Sequence, residues 1–560
     1  MNNKIQVYCT NIGRYVEVDG GTSLLEIAEN LRDVLDFNPI CARVNNKAED
    51  LFFPVFSPKQ VEFLKTDTPL GRRAYIRSLC MMLYKAVTIE FPGNNLKIEH
   101  SISRGYFCRL TTFDRKQTEI SENICNRLKN RMEILVGEDL RFHRKDKLSS
   151  DVKEIFTKEN LKDKVLLLDT SPSLYTSYYE LGDTADSYYG PLVPSTGYLK
   201  VFNILPFKDG FLLMGPDAHD IDIPQTPVPQ EKLYKAFTDY LNFNRIIQVS
   251  NVGELNRVVK MKKTSQLINV AEAMHDKLIG RISDEITSRN QDGGARIVLL
   301  AGPSSSGKTT TTKRLAIQLM TNLKVPKMIS LDDYFVDREH TPRDQDGDFD
   351  YESLYALDLD LLNSDLNKLL RGETINLPTY SFELGKRVHK DRPLRLGKHD
   401  VLLIEGIHGL NPELTHALPK DDIFKIYVSA LTTLSIDDHN WISTTDNRLL
   451  RRIVRDNKYR HTSAYETIRR WPSVRRGEEK WIFPFQENAD ALFNSSLIFE
   501  IGVMKDYALP LLKEVPHNKV EYAEAYRLST LLNYFVSIRS DQIPSTSLLR
   551  EFLGGSSFRY

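Results

Sequence analysis

Apolar positions along the chain recur with two periods, and the period decides which element each stretch should form. KIQVYC and RYVEV read as short strands, followed by a turn at Gly20 and Gly21 and the helical pattern SLLEIAENLRDVL. Glu26 stands three residues after Ser23, the spacing of a capping box that would start this helix. Over 66–225, RRAYIRSLCMMLYKAV and ISENICNRLKNRMEIL predict helices, while KVLLLD, YLKVFNIL and GFLLMG predict strands. The Pro- and Gln-rich DIPQTPVPQEK predicts a connector, and 230–290 then reads as helical up to a break at Asp292-Gly293-Gly294. Beyond the break, ARIVLLAG reads as a buried parallel strand, and KMISLDDYF and HDVLLIEGIHGL read as further strands of the same sheet. The last sixty residues predict amphipathic helices and a glycine-bearing tail packed on the domain before them.

Composition narrows the class. At 560 residues, several domains are expected. With 41% hydrophobic and 27% charged residues, the chain should bury real cores. Lys plus Arg (75) balances Asp plus Glu (75), so no global field draws the protein to nucleic acid or an anionic membrane. The five cysteines are widely spaced with no CxxC pair, which suggests neither a disulfide framework nor a zinc knuckle. No apolar run approaches the roughly 20 residues of a membrane span, so a cytoplasmic protein without a membrane partner is expected.

The informative chemistry begins after ARIVLLAG. Gly302, Pro303, Ser304, Ser305, Ser306, Gly307, Lys308 and Thr309 spell GxxxxGK[ST] between a predicted strand and a predicted helix, with Thr310 next. Glycines let backbone amides turn toward phosphates at the positive end of the helix. Lys308 can neutralise phosphate oxygens, and Thr309 offers a hydroxyl to Mg²⁺. Asp332 and Asp333 end the next predicted strand, beside the loop in a parallel sheet. Asp332, the candidate base, can reach an acceptor hydroxyl or the metal, and a helix cap is the plainer reading of the pair. Glu405 ends a third strand, where an acid coordinating Mg²⁺ belongs. Arg448, Arg451, Arg452, Arg455 and Arg460 recur at spacings of three to five, which puts several on one helical face suited to a closing lid, or to a solvated or RNA-contacting face.

Taken in order, GPSSSGKTT, ISLDDYF, FDYESLYALDLDLL, LPTYSF, LLIEGIHGL, RLLRRIVRD and ENADALFNSSL resemble the uridine kinase and phosphoribulokinase family over about 295–500. The resemblance implies transfer of the ATP γ-phosphoryl group, with Mg²⁺, to a sugar hydroxyl, for uridine kinases the 5′-hydroxyl of uridine or cytidine. It places Asp332 as catalytic acid, Thr309 and Glu405 as magnesium ligands, Arg455 in the lid, and Asp350, Tyr380 and Arg387 on the substrate side. One departure bears on the base: Gly385 stands where uridine kinases carry a pyrimidine-contacting histidine, with His389 nearby.

The N-terminal half resembles threonyl-tRNA synthetases. VDGGTSLLEIAENL looks like their TGS domain, and 66–225 looks like the editing-type domain after it, with DSYYGPLVPSTGYLKVFNIL the best local match. Tyr188 and Leu192 replace the Cys and His of that pattern, and RRAYIRSLCMMLYKAV contains no histidine, so the editing metal site cannot be built. The expected organisation is a TGS-like domain (1–65), an editing-like domain without metal ligands (66–225), a helical linker (226–290), a P-loop kinase domain (291–505) and a helical tail (506–560). The fold class is multidomain: a parallel sheet with helices on both faces in the kinase, and β-grasp-like and α+β domains before it. A kinase of a different sugar-containing acceptor and an RNA- or ribosome-associated nucleotide switch are the alternatives, the latter disfavoured by charge balance. Self-association is left open.

Overall fold

The computed structural model describes residues 4–559 except 115, 172, 290–293, 346 and 382. The break predicted at Asp292 and Gly293 therefore lies outside the described residues, as does Phe382 of LPTYSF.

The opening strands assemble into a five-stranded sheet in the order Arg14–Asp19, Lys4–Cys9, Lys59–Leu64, Cys41–Val44, Lys47–Glu49. Its middle pair, Lys4–Cys9 and Lys59–Leu64, is parallel and the other neighbours are antiparallel. The capping box is formed: Ser23 Oγ accepts from Glu26 N at 3.2 Å, and Glu26 Oε2 accepts from Ser23 N at 2.7 Å. The helix it starts, Leu24–Asn30, lays Leu24 and Ile27 against Val7, Val61 and Phe63.

Next, the helix Pro69–Glu90 is buried at every residue from Ala74 to Val87, the signature of a helix running through a core rather than along its surface. Around it stand an antiparallel four-stranded sheet (Asn203–Phe207, Gly210–Met214, Gly105–Thr112, Asn94–Ile102) and a three-stranded one (His143–Leu148, Tyr175–Leu181, Thr184–Asp186). KVLLLD, predicted as a strand, lies instead in the helix Lys162–Thr170. Its buried positions, Lys164, Leu167 and Thr170, fall at a spacing of three, a helical period hidden inside a short apolar run. YLKVFNIL becomes strand only from Asn203 onward. All five cysteines are free and buried.

The third region centres on five parallel strands in the order Val325–Ser330, Asp400–Glu405, Ile297–Ala301, Ile423–Ser429, Ala491–Asn494. The strand earliest in sequence is the middle one, so the chain leaves it in both directions and opens a crevice at its carboxyl end. Alternate residues serve opposite faces. Ile297 and Leu299 pack with Leu362 and Leu366 of the helix Leu359–Leu370, whereas Val298 and Leu300 pack with Leu315 and Leu319 of the helix Lys308–Thr321. Ile279, Ile282 and Ile286 of the helix Thr264–Thr287 enter that second core, so this predicted connector covers one face of the sheet. The helices Glu500–Lys513 and Tyr522–Asn533 pack on the helix Thr444–Arg460. The chain is thus a multidomain α/β and α+β protein, and among the described residues no helix is long and apolar enough to cross a membrane.

Candidate active site

The strand Ile297–Ala301 passes through Gly302–Gly307 into the helix Lys308–Thr321. A Cβ on Gly302 would stand 1.9 Å from Val428 O, so only glycine lets the loop lie this close to the neighbouring strand. Ser305, at φ 58°, adopts a left-handed conformation that is uncommon for a non-glycine residue. Lys308 Nζ donates to the carbonyls of Gly302 (2.9 Å) and Pro303 (3.1 Å). Burial lowers its pKa, opposed by the nearby charges of Glu405, Glu551 and Asp332. Among the described residues no carboxylate pairs with Lys308, so a half-buried ammonium is held only by carbonyls.

Strand register brings the acids to this ammonium. Leu300 and Ser330 both stand opposite Glu405, which places Asp332, two residues past Ser330, at the same crevice. Thr309 Oγ1 donates to Glu405 Oε1 at 3.1 Å, while Glu405 Oε2 is buried with no partner among the described residues. Burial pushes the Glu405 carboxyl up to about 7, against the pull of Lys308. A carboxylate with one buried, orphaned oxygen beside a hydroxyl is a fitting donor set for a hard cation such as Mg²⁺. Among the described residues no group of three His, Cys, Asp or Glu could hold a metal, so phosphates and water would supply the remaining ligands.

Asp332 is exposed to the solvent of the crevice, yet its walls crowd the carboxylate closely. This crowding raises its pKa, Lys308 opposes the rise, and Asp333 adds to it. Arg460 is the arginine within electrostatic reach of Asp332. Asp333 instead pairs with Arg392 at 3.0 Å. Sequence reasoning missed Glu352, whose carboxyl burial and Glu478 push up to about 7, and which feels Arg452, Lys308 and Asp332. Its signal was its place in FDYES. The Asp350 side chain accepts from Glu352 N at 3.1 Å, so Asp350 shapes the turn that presents Glu352.

The predicted lid arginines divide into two groups. Arg448 and Arg451, both buried, donate to the loop carbonyls of Ser304 (2.9 Å) and Ser305 (3.3 Å), and Arg452 donates to Ser304 Oγ (2.9 Å). Arg448 is neutralised by Glu478 and Arg451 by Glu500. These three clamp the loop. Arg455 is bound to its neighbour Asp456 (2.8 Å), leaving it and Arg460 as the lid-like pair. Carboxylates already hold both ends of the loop: Ser304 N donates to Glu478 Oε1 (3.1 Å), and Thr310 donates to Glu551 Oε2 through N (3.1 Å) and Oγ1 (2.7 Å). Leu548, from the same tail segment as Glu551, stands against Gly307.

On the acceptor side, Tyr380 is buried with its ring 5.6 Å from that of Phe335. Arg387, opposite Tyr380 in a two-residue hairpin, spends its guanidinium on Phe335 O (3.1 Å), Tyr334 O (3.3 Å) and Asp358 (2.9 Å), which makes it a brace of the wall. Gly385 sits at φ 67°, and a Cβ there would meet the Arg338 guanidinium at 2.6 Å. Arg338 therefore fills the space beside Gly385, and His389 is exposed nearby.

The phosphoribulokinase / uridine kinase family pattern matches residues 297–498. A Staphylococcus aureus uridine kinase is 30% identical over 199 residues, covering 35% of this chain and 86% of that protein. The chain therefore belongs to the phosphoribulokinase/uridine kinase family, through this P-loop kinase region. The N-terminal region is similar to threonine–tRNA ligases, for example that of Desulforamulus reducens, 30% identical over 192 residues, which cover 34% of this chain. The chain spans only about 30% of the length of that ligase. A solved structure described as a possible uridine kinase from Bacillus stearothermophilus is 19% identical, covering 39% of this chain and 98% of that one with a TM-score of 0.27.

Proposed function

We propose that the protein is an ATP- and Mg²⁺-dependent kinase that transfers the γ-phosphoryl group to the 5′-hydroxyl of uridine or cytidine, acting in the cytoplasm. The observation that carries this reading is the convergence of a half-buried Lys308 without a carboxylate partner and a buried Glu405 oxygen without any partner at one crevice among the described residues. Each is costly to bury alone and each is satisfied by the phosphates and cation of a bound nucleotide. Gly302–Thr310 cradle the phosphates. Thr309, Glu405 and Asp332 would hold Mg²⁺, which when bound would withdraw charge from the phosphate oxygens. Asp332 accepts the proton of the attacking hydroxyl, its raised pKa matching that task. Arg455 and Arg460, both paired with Asp456 (2.8 and 3.6 Å), close over the transferred group once released from it. Asp350 acts through Glu352, and Tyr380 and Arg387 form the nucleoside wall.

The domain divisions of the sequence reading are kept in this proposal: a TGS-like domain at 1–65, an editing-like domain at 66–225 whose Tyr188 and Leu192 cannot bind zinc, a helical segment at 226–290, the kinase at 291–505 and a helical tail at 506–560. ADP release with ATP and Mg²⁺ over a panel of uridine, cytidine, purine nucleosides and pentose phosphates tests the reading. Uridine- or cytidine-dependent turnover that Asp332→Asn abolishes is the expected result. Turnover with pentose phosphates alone would overturn the acceptor, and turnover with none of them would overturn the kinase.

A further inference from the structure

Away from the kinase crevice, a cavity of about 300 Å³ lies between the N-terminal half and the C-terminal helices. Its walls include three elements far apart in sequence: the helix Pro69–Glu90 with Arg77, the strand Tyr175–Leu181, and the helix Tyr522–Asn533 with Tyr526, Arg527 and Thr530.

Two features of this wall point to a ligand. The first is charge. Five cationic side chains line the cavity against one acid, Glu49. Four have carboxylate partners: Arg73 with Glu524 (2.7 Å), Arg144 with Glu49 (3.3 Å), Lys164 with Asp186 (2.8 Å) and Arg527 with Asp446 (2.6 Å). Arg77 has none among the described residues. It is 8% exposed, its guanidinium donates to the single carbonyl of Pro191 (3.1 and 3.3 Å), and burial pulls its pKa down to about 10. An unpaired guanidinium so deeply buried is costly unless an anion meets it, and its planar fork suits phosphate oxygens. The second feature is shape and surface. Tyr175, Tyr179, Tyr188, Tyr189, Tyr526 and Tyr534 line the same space, and Arg77 lies over the Tyr189 ring at 6.0 Å. Aromatic walls around a cavity at the lower end of ligand-pocket volumes favour one planar ring.

We propose that this cavity binds a phosphate monoester carrying a planar ring, a ligand of nucleoside-monophosphate class, with its phosphate on Arg77 and its ring among the tyrosines. The site is separate from the kinase crevice and does not depend on the reading of that crevice. Its far wall joins the loop clamp: Arg527 pairs with Asp446, in the first turn of the helix that carries Arg448 and Arg451.

Equilibrium dialysis of the full chain with uridine 5′-monophosphate, adenosine 5′-monophosphate, inorganic phosphate and uridine tests the proposal. Two variants accompany the wild type: Arg77→Gln, which removes the anion partner, and Thr530→Trp, which fills the rim without touching a buried charge. The expected result is that at least one monophosphate binds better than phosphate or uridine alone and that each variant weakens it about tenfold or more. If Arg77→Gln fails to fold, Thr530→Trp decides. Absence of monophosphate binding at about 1 mM would overturn the site. So would binding that the folded variants leave intact, since that binding would belong to the kinase crevice.

Discussion

The kinase crevice and the ion cluster around Asp186 both bury acids beside bases, and they treat their charges in opposite ways. In the cluster, Lys164 lies 2.8 Å from Asp186 and 2.9 Å from Asp437, and His439 Nδ1 lies 2.7 Å from Asp186. It ties 162–186 to the 437–440 turn with both of its bases, Lys164 and His439, paired to carboxylates, and so it is architecture. In the crevice, Lys308 has only carbonyls, Glu405 keeps an orphaned oxygen, and Glu352 and Glu405 are both pushed up to about 7. A folded chain tolerates such loose ends where a ligand completes them. The contrast teaches that the number of buried charges says little about function, whereas the number left unanswered says a good deal.

The sharpest break of this comparison is Lys308→Ala. It should lower kcat/KM by about a thousandfold, on the order of 4 kcal/mol of transition-state stabilisation, while changing the urea midpoint little. Asp186→Asn should do the reverse. Stripping the charge that answers both Lys164 and His439 should cost about 3–5 kcal/mol in urea unfolding and leave ATP affinity unchanged. A milder effect is expected at the tail. Glu551→Gln removes a charged competitor for Thr310 N and Oγ1, and titration calorimetry should show ATP binding tightened by about 1 kcal/mol or less.

The smallest effect is in pH. Burial and Lys164 act oppositely on Asp186, and with His439 the pairing wins, leaving its carboxyl depressed. Its stabilisation is therefore present above the unfolded value near pH 4 and is lost as pH falls toward the folded one. Burial opposes charging of His439, but Asp186 outweighs it and raises the imidazole pKa. That contribution is full below about pH 6.5 and fades as pH rises through the raised value. Asp437, raised by burial, loses stability in the same upward direction. The melting temperature should thus decline on the alkaline side, and Asp186→Asn should flatten the part of that slope due to His439.

Much of the crevice was legible because its chemistry is written in contiguous residues at strand ends. GPSSSGKTT and Glu405 each follow a run of buried apolar residues, Asp332 follows the edge strand, and the parallel register does the rest. What was illegible depends on distant pairing. Arg448, Arg451 and Arg452 share a helical face with Arg455, but only the fold shows that the first three clamp the loop while Arg455 is held by Asp456. Arg387 reads as a substrate contact until Tyr334, Phe335 and Asp358 take its hydrogen bonds. Glu551 lies more than two hundred residues from Thr310, and no local pattern announces it. The KVLLLD run failed as a strand because six apolar-rich residues carry too few turns for their period to show.

The most direct test of the contrast is calorimetric titration of ATP with and without Mg²⁺, for wild type and Glu405→Gln. If the orphaned oxygen of Glu405 is kept for the metal, Mg²⁺ should tighten ATP binding to the wild type by about tenfold or more and have little effect on the variant. Equal Mg²⁺ dependence in the two proteins, or no ATP binding by the wild type, would contradict the account.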